Sequence, residues 1–182
     1  MIRYYPGLVA HGPGAAGGIT PVNASATYIL AATLLGAAAT NAVVFAHQPD
    51  YARLLSVKGN AEDMTGNVVI TGRDAVGGAL SATVALNGTA TVLTLVAFEV
   101  VTNVNLPAKT NVSGDTVSVG VANVFGLHNK LASAGLLLRQ EFDHSTDAGS
   151  LAVSAATLAL NLYTPAGTPN GSKSLDLYYF VT

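Results

Sequence analysis

Glu141-Phe142-Asp143-His144-Ser145-Thr146-Asp147 is the one dense run of ligand-capable side chains in this sequence. Carboxylates, an imidazole and hydroxyls at short spacing are the chemistry of a calcium loop. The EF-hand spacing and its terminal bidentate Glu are missing, so a solvated loop is expected instead. Glu62-Asp63 is a lone acidic pair beside a turn and reads as a solvated corner. His11, His47, His128 and His144 show no His-x-x-His or His-Glu-x-x-His spacing, so a zinc site would have to assemble from distant positions. Gly12-Pro13-Gly14-Ala15-Ala16-Gly17 matches G-x-G-x-x-G by letter. Pro13 interrupts it, Thr20-Pro21 follows it, and no acidic partner stands about 20 residues on. No Gly-x-Ser-x-Gly elbow is present. The sequence therefore carries no catalytic, cofactor or metal signature, and a non-enzymatic protein is expected.

What these residues sit on is a chain of short strands. Tyr28–Leu35 and Ala42–His47 are apolar runs of strand length, although the Ala-rich part also suits a short helix. Arg53–Lys58 is a further strand. Val68 and Ile70 alternate with Asn67 and Thr71. Leu80, Ala82, Val84 and Leu86 alternate with Ser81 and Thr83, beyond a turn at Asp74–Gly78. Asn87-Gly88 predicts a type I′ reversal into a strand over Thr91–Ala97. Phe98, Val100, Val104 and Leu106 continue one face until Pro107. Val117, Val119 and Val121 share a face, and Leu136–Arg139 makes another strand. Leu158, Leu160 and Leu162 alternate, as do Leu175, Leu177, Tyr179 and Val181. The gaps are too short for crossover helices, which predicts an all-β fold: an antiparallel β-sandwich, jelly-roll or immunoglobulin-like. The Cys–Trp–Cys core of immunoglobulin domains is absent, since the chain has neither residue.

Residues 1–23 hold eight Gly and Pro residues and read as an extended arm that orders only by docking. Residues 24–182 read as a single sandwich domain. The aromatic residues gather at the two ends. Tyr4 and Tyr5, with Pro6, Leu8 and Val9 beside them, are the expected anchors of the arm. In the last strand Tyr179 shares the apolar face, while Tyr178 and Phe180 point the other way and form a second candidate interface.

Half of the 182 residues are apolar and only 10% are charged, well below the roughly 25% of ordinary domains. So little charge suggests a surface covered by partners or by copies of itself. The net charge of −2 and eight dispersed Lys and Arg offer no cluster for phosphates, so no nucleic-acid partner is expected. Without cysteine there is no disulfide or thiolate site. Residues 24–46 carry no charge, but Asn41, Gly36 and several Ser and Thr dilute the run, and no basic flank orients it, so no membrane span is expected. Sequons at Asn23, Asn87, Asn111 and Asn170 are not expected to carry sugar, because no signal-peptide pattern is present.

The order Thr71-Gly72-Arg73-Asp74, Leu86-Asn87-Gly88-Thr89, Ala97-Phe98-Glu99-Val100-Val101-Thr102-Asn103-Val104, Asp115–Gly120 and Phe125-Gly126-Leu127 resembles the head decoration (cement) proteins of tailed bacteriophages. Pro169–Lys173 and Tyr178-Tyr179 are similar to the C-terminal strand of those proteins. Ala82, Gly77-Gly78 and His128 depart from the pattern. The resemblance implies a virion structural protein, made in the host cytoplasm, on the outer surface of the capsid. Its partners would be the major capsid protein and copies of itself, as homo-trimer or homo-dimer, and it would brace neighbouring capsid subunits. A tail, neck or baseplate module of the virion is the first alternative. A carbohydrate-binding or adhesion module is the second.

Overall fold

The structure is a computed structural model that describes residues 19–110 and 114–180, and residues 9–12 by their backbone. In chain order the strands are β1 (Val9–Gly12), β2 (Ser25–Leu34), β3 (Thr40–Ala42), β4 (Arg53–Gly59), β5 (Asn67–Arg73), β6 (Ala79–Ala85) and β7 (Val92–Leu93). Then come β8 (Val100–Leu106), β9 (Thr116–Gly126), β10 (Leu137–Phe142), β11 (Ser145–Thr146), β12 (Ser150–Ala152), β13 (Leu162–Thr164) and β14 (Leu175–Phe180). Two single 3-10 turns, Ala134–Leu136 and Leu158–Leu160, are the only helical elements among the described residues. Every strand pairing is antiparallel, and the sheets pack as a β-sandwich.

One layer has the order β3-β8-β5-β6. The facing layer runs β12-β13-β9-β4-β7, with β2 also paired to β9. Between them lies an aliphatic core that includes Ile29, Leu55, Val57, Val68, Ile70, Val104, Val117 and Val119. This follows from the period-two pattern, which sends alternate residues of β5 and β9 to one side. A third sheet, β1-β14-β10-β11, closes a second core of Ile19, Phe125, Leu131, Phe142, Tyr163, Leu175, Leu177 and Tyr179. The longest strand, β9, serves both. Val117, Val119 and Val121 point into the first core and Phe125 into the second. Between these ends the register slips: Leu55 pairs with Val121, but Arg53 pairs with Phe125. Gly120 lies where β2 crosses β9, and a Cβ there would land on the Ser25 carbonyl oxygen. Only glycine permits that approach.

Several expectations need correction. Asn87-Gly88 does not close a hairpin. Gly88 does take positive φ, at 55°. However, Leu86 N bonds Gly66 O and Gly88 N bonds Met64 O, tying the turn to the chain that enters β5. The chain therefore changes layers, and the strand expected over Thr91–Ala97 shrinks to β7, paired with β4. The hydroxyl of Thr94 then takes the Leu55 N–H at 2.9 Å. The alternation through Leu158 and Leu160 is a 3-10 turn, because the Asn161 side chain captures the carbonyls of Ser154, Thr157 and Leu158. Residues 24–46 contain β2 and β3 and no helix. Beyond β3 the chain is fixed by single bonds such as Ala46 N to Ile29 O rather than by a ladder. No helix among the described residues is long and apolar enough to cross a membrane.

In the N-terminal segment, Val9–Gly12 lies along the last strand from Val9↔Phe180 to Gly12↔Leu177. Ile19 is bridged to Leu175 and buried in the second core. A Gly/Pro-rich stretch gains regular structure here by adding to an edge that already exists, which satisfies its backbone groups without any propensity of its own.

Candidate functional site

The polar run from Glu141 to Asp147, expected as a solvated loop, is a tight hairpin exposed from Asp143 to Thr146. Phe142 pairs with Ser145, leaving Asp143 and His144 as the two turn residues, with φ of 53° and 61°. Those are the backbone signs of a type I′ turn, and Asp and His tolerate them better than most residues. Beyond the turn, Asp147 is buried. Its Oδ2 accepts the Tyr163 hydroxyl at 2.6 Å, and its Oδ1 accepts the Ala166 N–H at 3.1 Å. Burial, and then the Asp147 bond, push the Tyr163 pKa well above the ordinary tyrosine range. Asp147 and its hairpin neighbours thus turn in different directions. Among the described residues no group of three His, Cys, Asp or Glu side chains could hold a metal.

The densest polar structure lies elsewhere, at the seam between the cores. Arg53 is fully buried. Its Nε donates to Ala122 O at 2.8 Å, Nη1 to Asp50 Oδ1 at 2.6 Å, and Nη2 to Asn123 Oδ1 at 3.0 Å. Both terminal nitrogens reach Val22 O at 3.2 Å, and the guanidinium stands 4.7 Å over the Phe125 ring. Asp50 in turn accepts the Val22 N–H at 2.8 Å. The cation ties the chain at Val22 and at Asp50 to β9 and fills the register slip there. Burial lowers its pKa, and Asp50 opposes that shift. Nearby, burial raises the Glu99 pKa, with His128 and the Ala52 N–H pulling the other way. Glu99 Oε2 and His128 Nδ1 are buried without hydrogen-bond partners. The sequence signal for this lock was present and unread: an Arg opening an apolar strand, three residues after an Asp. Its partners are structural carbonyls and side chains, so it fastens the fold and offers no reacting position.

Tyr4, Tyr5, Pro6 and Leu8 lie outside the described residues, and Val9 is described as the backbone partner of Phe180. Tyr178 is half-buried, with the Arg139 guanidinium 5.9 Å from its ring centre. Phe180 is 37% exposed at the end of β14. Both flank the sheet face away from the second core, where Leu138 is half-exposed as well.

A larger apolar surface was missed by the sequence reading. From Ala31 to Gln48 only Leu35 is buried, while Leu34 and Val43 are each 65% exposed and Val44 is 83% exposed. Phe45 and Ala42 lean back onto the first core and hold this strip in place. His47 stacks on Tyr28 at 4.7 Å between ring centres. The strip carries no Asp, Glu, Lys or Arg, so desolvating it costs only what its polar members, such as Thr40, Asn41 and Gln48, require. Its sequence signal was the charge-free run 24–46, weighed only as a membrane segment. Comparison with known proteins adds no relative: no family model, no curated protein and no solved structure matches the chain.

Proposed function

We propose that this chain is a non-enzymatic virion structural protein that binds the outer surface of a capsid and bridges neighbouring major capsid subunits. The observation that carries the reading is the uncharged strip at 31–48, presented by the edge of a rigid sandwich. Exposed apolar side chains such as Leu34, Val43 and Val44, on a stretch without charge, are what an interaction face offers. Burying one such Val or Leu contributes about 1.5–3 kcal/mol, and many copies on a symmetric shell multiply weak contacts. The low charge of the whole chain and the phage-protein resemblance of the 71–127 segment point the same way. The N-terminal segment and Tyr178 with Phe180 would add a second contact at the β14 sheet.

The test is capsid occupancy. Shells mixed with wild-type chain, with Val43→Lys/Val44→Lys, and with a chain lacking residues 1–8 are compared by cryo-EM and sedimentation. The double substitution should abolish occupancy while leaving the melting temperature unchanged. Full occupancy by the double variant would overturn the docking role of the strip. The truncation spares Ile19, which belongs to the core, and so reports on the arm alone.

A further inference from the structure

A hollow of about 470 Å³ opens on the outer face of the β3-β8-β5-β6 sheet, at its β6 side and away from β3. Strand alternation builds it. Thr71 and Arg73 of β5 and Ala79 and Ser81 of β6 stand opposite the buried Ile70 and Val84, and Thr102 joins them from β8. Gly72 and Leu80 complete the lining, and its one charged residue is Arg73. Arg73 is exposed, and its Nη1 donates to Gly77 O at 2.9 Å, which leaves most of its fork of donors unused. The neighbouring Asp74 is engaged in its own turn, where Oδ1 accepts the N–H groups of Val76 and Gly78. Thr102 donates its hydroxyl proton to Thr71 O at 3.1 Å, and the two threonine hydroxyls stand 3.5 Å apart.

We propose that this hollow binds an acidic monosaccharide. The guanidinium fork matches a carboxylate through two parallel N–H bonds. The hydroxyls of Thr71, Ser81 and Thr102 match the ring hydroxyls, and Ala79 gives the apolar edge of the ring a surface. The volume falls in the range of small-molecule sites, about 300–1,000 Å³. A phosphate dianion is a poorer match, because no second cation lines the hollow. The site stands independently of the capsid reading.

The full chain, labelled with nitrogen-15, is titrated with sodium glucuronate, sodium acetate and glucose. Glucuronate should shift the amide signals of Thr71, Arg73, Ser81 and Thr102 saturably. Acetate and glucose should bind about tenfold or more weakly. Arg73→Ala should abolish the shifts and Arg73→Lys should weaken them about tenfold. Ser81→Leu, which fills the hollow and keeps Arg73, should also abolish them. Unaltered melting temperatures would show that the variants fold. No saturable shift with glucuronate, or retained binding in Arg73→Ala, would overturn the site. Equal binding of acetate would overturn the saccharide assignment.

Discussion

The two cores of this molecule are held by different physics. The first, between β5, β8 and β9, is a slab of Val, Ile, Leu and Phe with one Met. The second, under β14, is threaded with polar hubs: Asp147 with Tyr163, Asn129 with the Tyr179 hydroxyl at 3.4 Å, and Asn161. Asn161 is fully buried; its Oδ1 takes the Leu131 and Ser154 N–H groups, each at 3.0 Å, and its Nδ2 donates to three carbonyls. Arg53 pins the seam between the two. A slab tolerates volume-conserving change, whereas a hub fails when one partner is lost.

The largest effect should come from breaking the seam. Arg53→Met should cost about 3–5 kcal/mol, because Asp50 keeps its charge while the Val22 and Ala122 carbonyls lose their donor. Denaturant unfolding measures this. Arg53→Lys should rescue little of the loss, since an ammonium cannot span the same acceptors. In the hub core, Asn161→Leu should cost about 3 kcal/mol by stranding buried backbone groups. In the slab, Ile70→Val should cost only about 1 kcal/mol. If Asn161→Leu proved as mild as Ile70→Val, the contrast between the cores would be wrong. Tyr163→Phe falls between these two, at about 1.5–3 kcal/mol, the usual worth of a hydrogen bond to a charged acceptor.

The same contrast explains which parts of the fold were legible. Val68, Ile70, Val117, Val119 and Val121 are buried as their spacing implies, but in β8 a register shift against β5 puts Val101 in the core in place of the expected Val100. Period-two patterning is a direct readout of a layer with one apolar side. In the second core the pattern misleads at Leu158 and Leu160, because side-chain bonds from Asn161 outcompete the ladder. Asn87-Gly88 misleads differently. Its local turn chemistry is met, but long-range bonds to Met64 and Gly66 decide where the chain goes next. The solvated loop expected at Glu141–Asp147 is exposed from Asp143 to Thr146, but its hairpin form was not legible, because positive φ at Asp143 and His144 leaves no mark in their residue types. Of the candidate surface, the aromatic last strand was legible. The strip at 31–48 was not, since exposure depends on which edge the neighbours leave uncovered.

The smallest expected effects are in pH dependence. A raised Glu99 pKa means that the folded state holds that proton more tightly than the unfolded state. Stability from this group is present at low pH and falls as pH rises above the ordinary carboxylate range, by at most about 1.4 kcal/mol per pH unit. Glu99→Gln should remove that slope in melting curves taken from pH 4 to 8. The raised Tyr163 and Tyr179 act in the same direction, with stability lost as pH climbs past the tyrosine range, near 10. Their loss should loosen the hub core before the slab, which hydrogen exchange can resolve strand by strand.

The central claim is that this molecule works through a surface, with residues 31–48 seated on a capsid. A cryo-EM map of the assembled particle tests it most directly. The account predicts one sandwich at each of many symmetry-related positions outside the shell, with Leu34, Val43 and Val44 buried at the contact. A particle without the chain on its shell, or one in which those side chains face solvent, would contradict it.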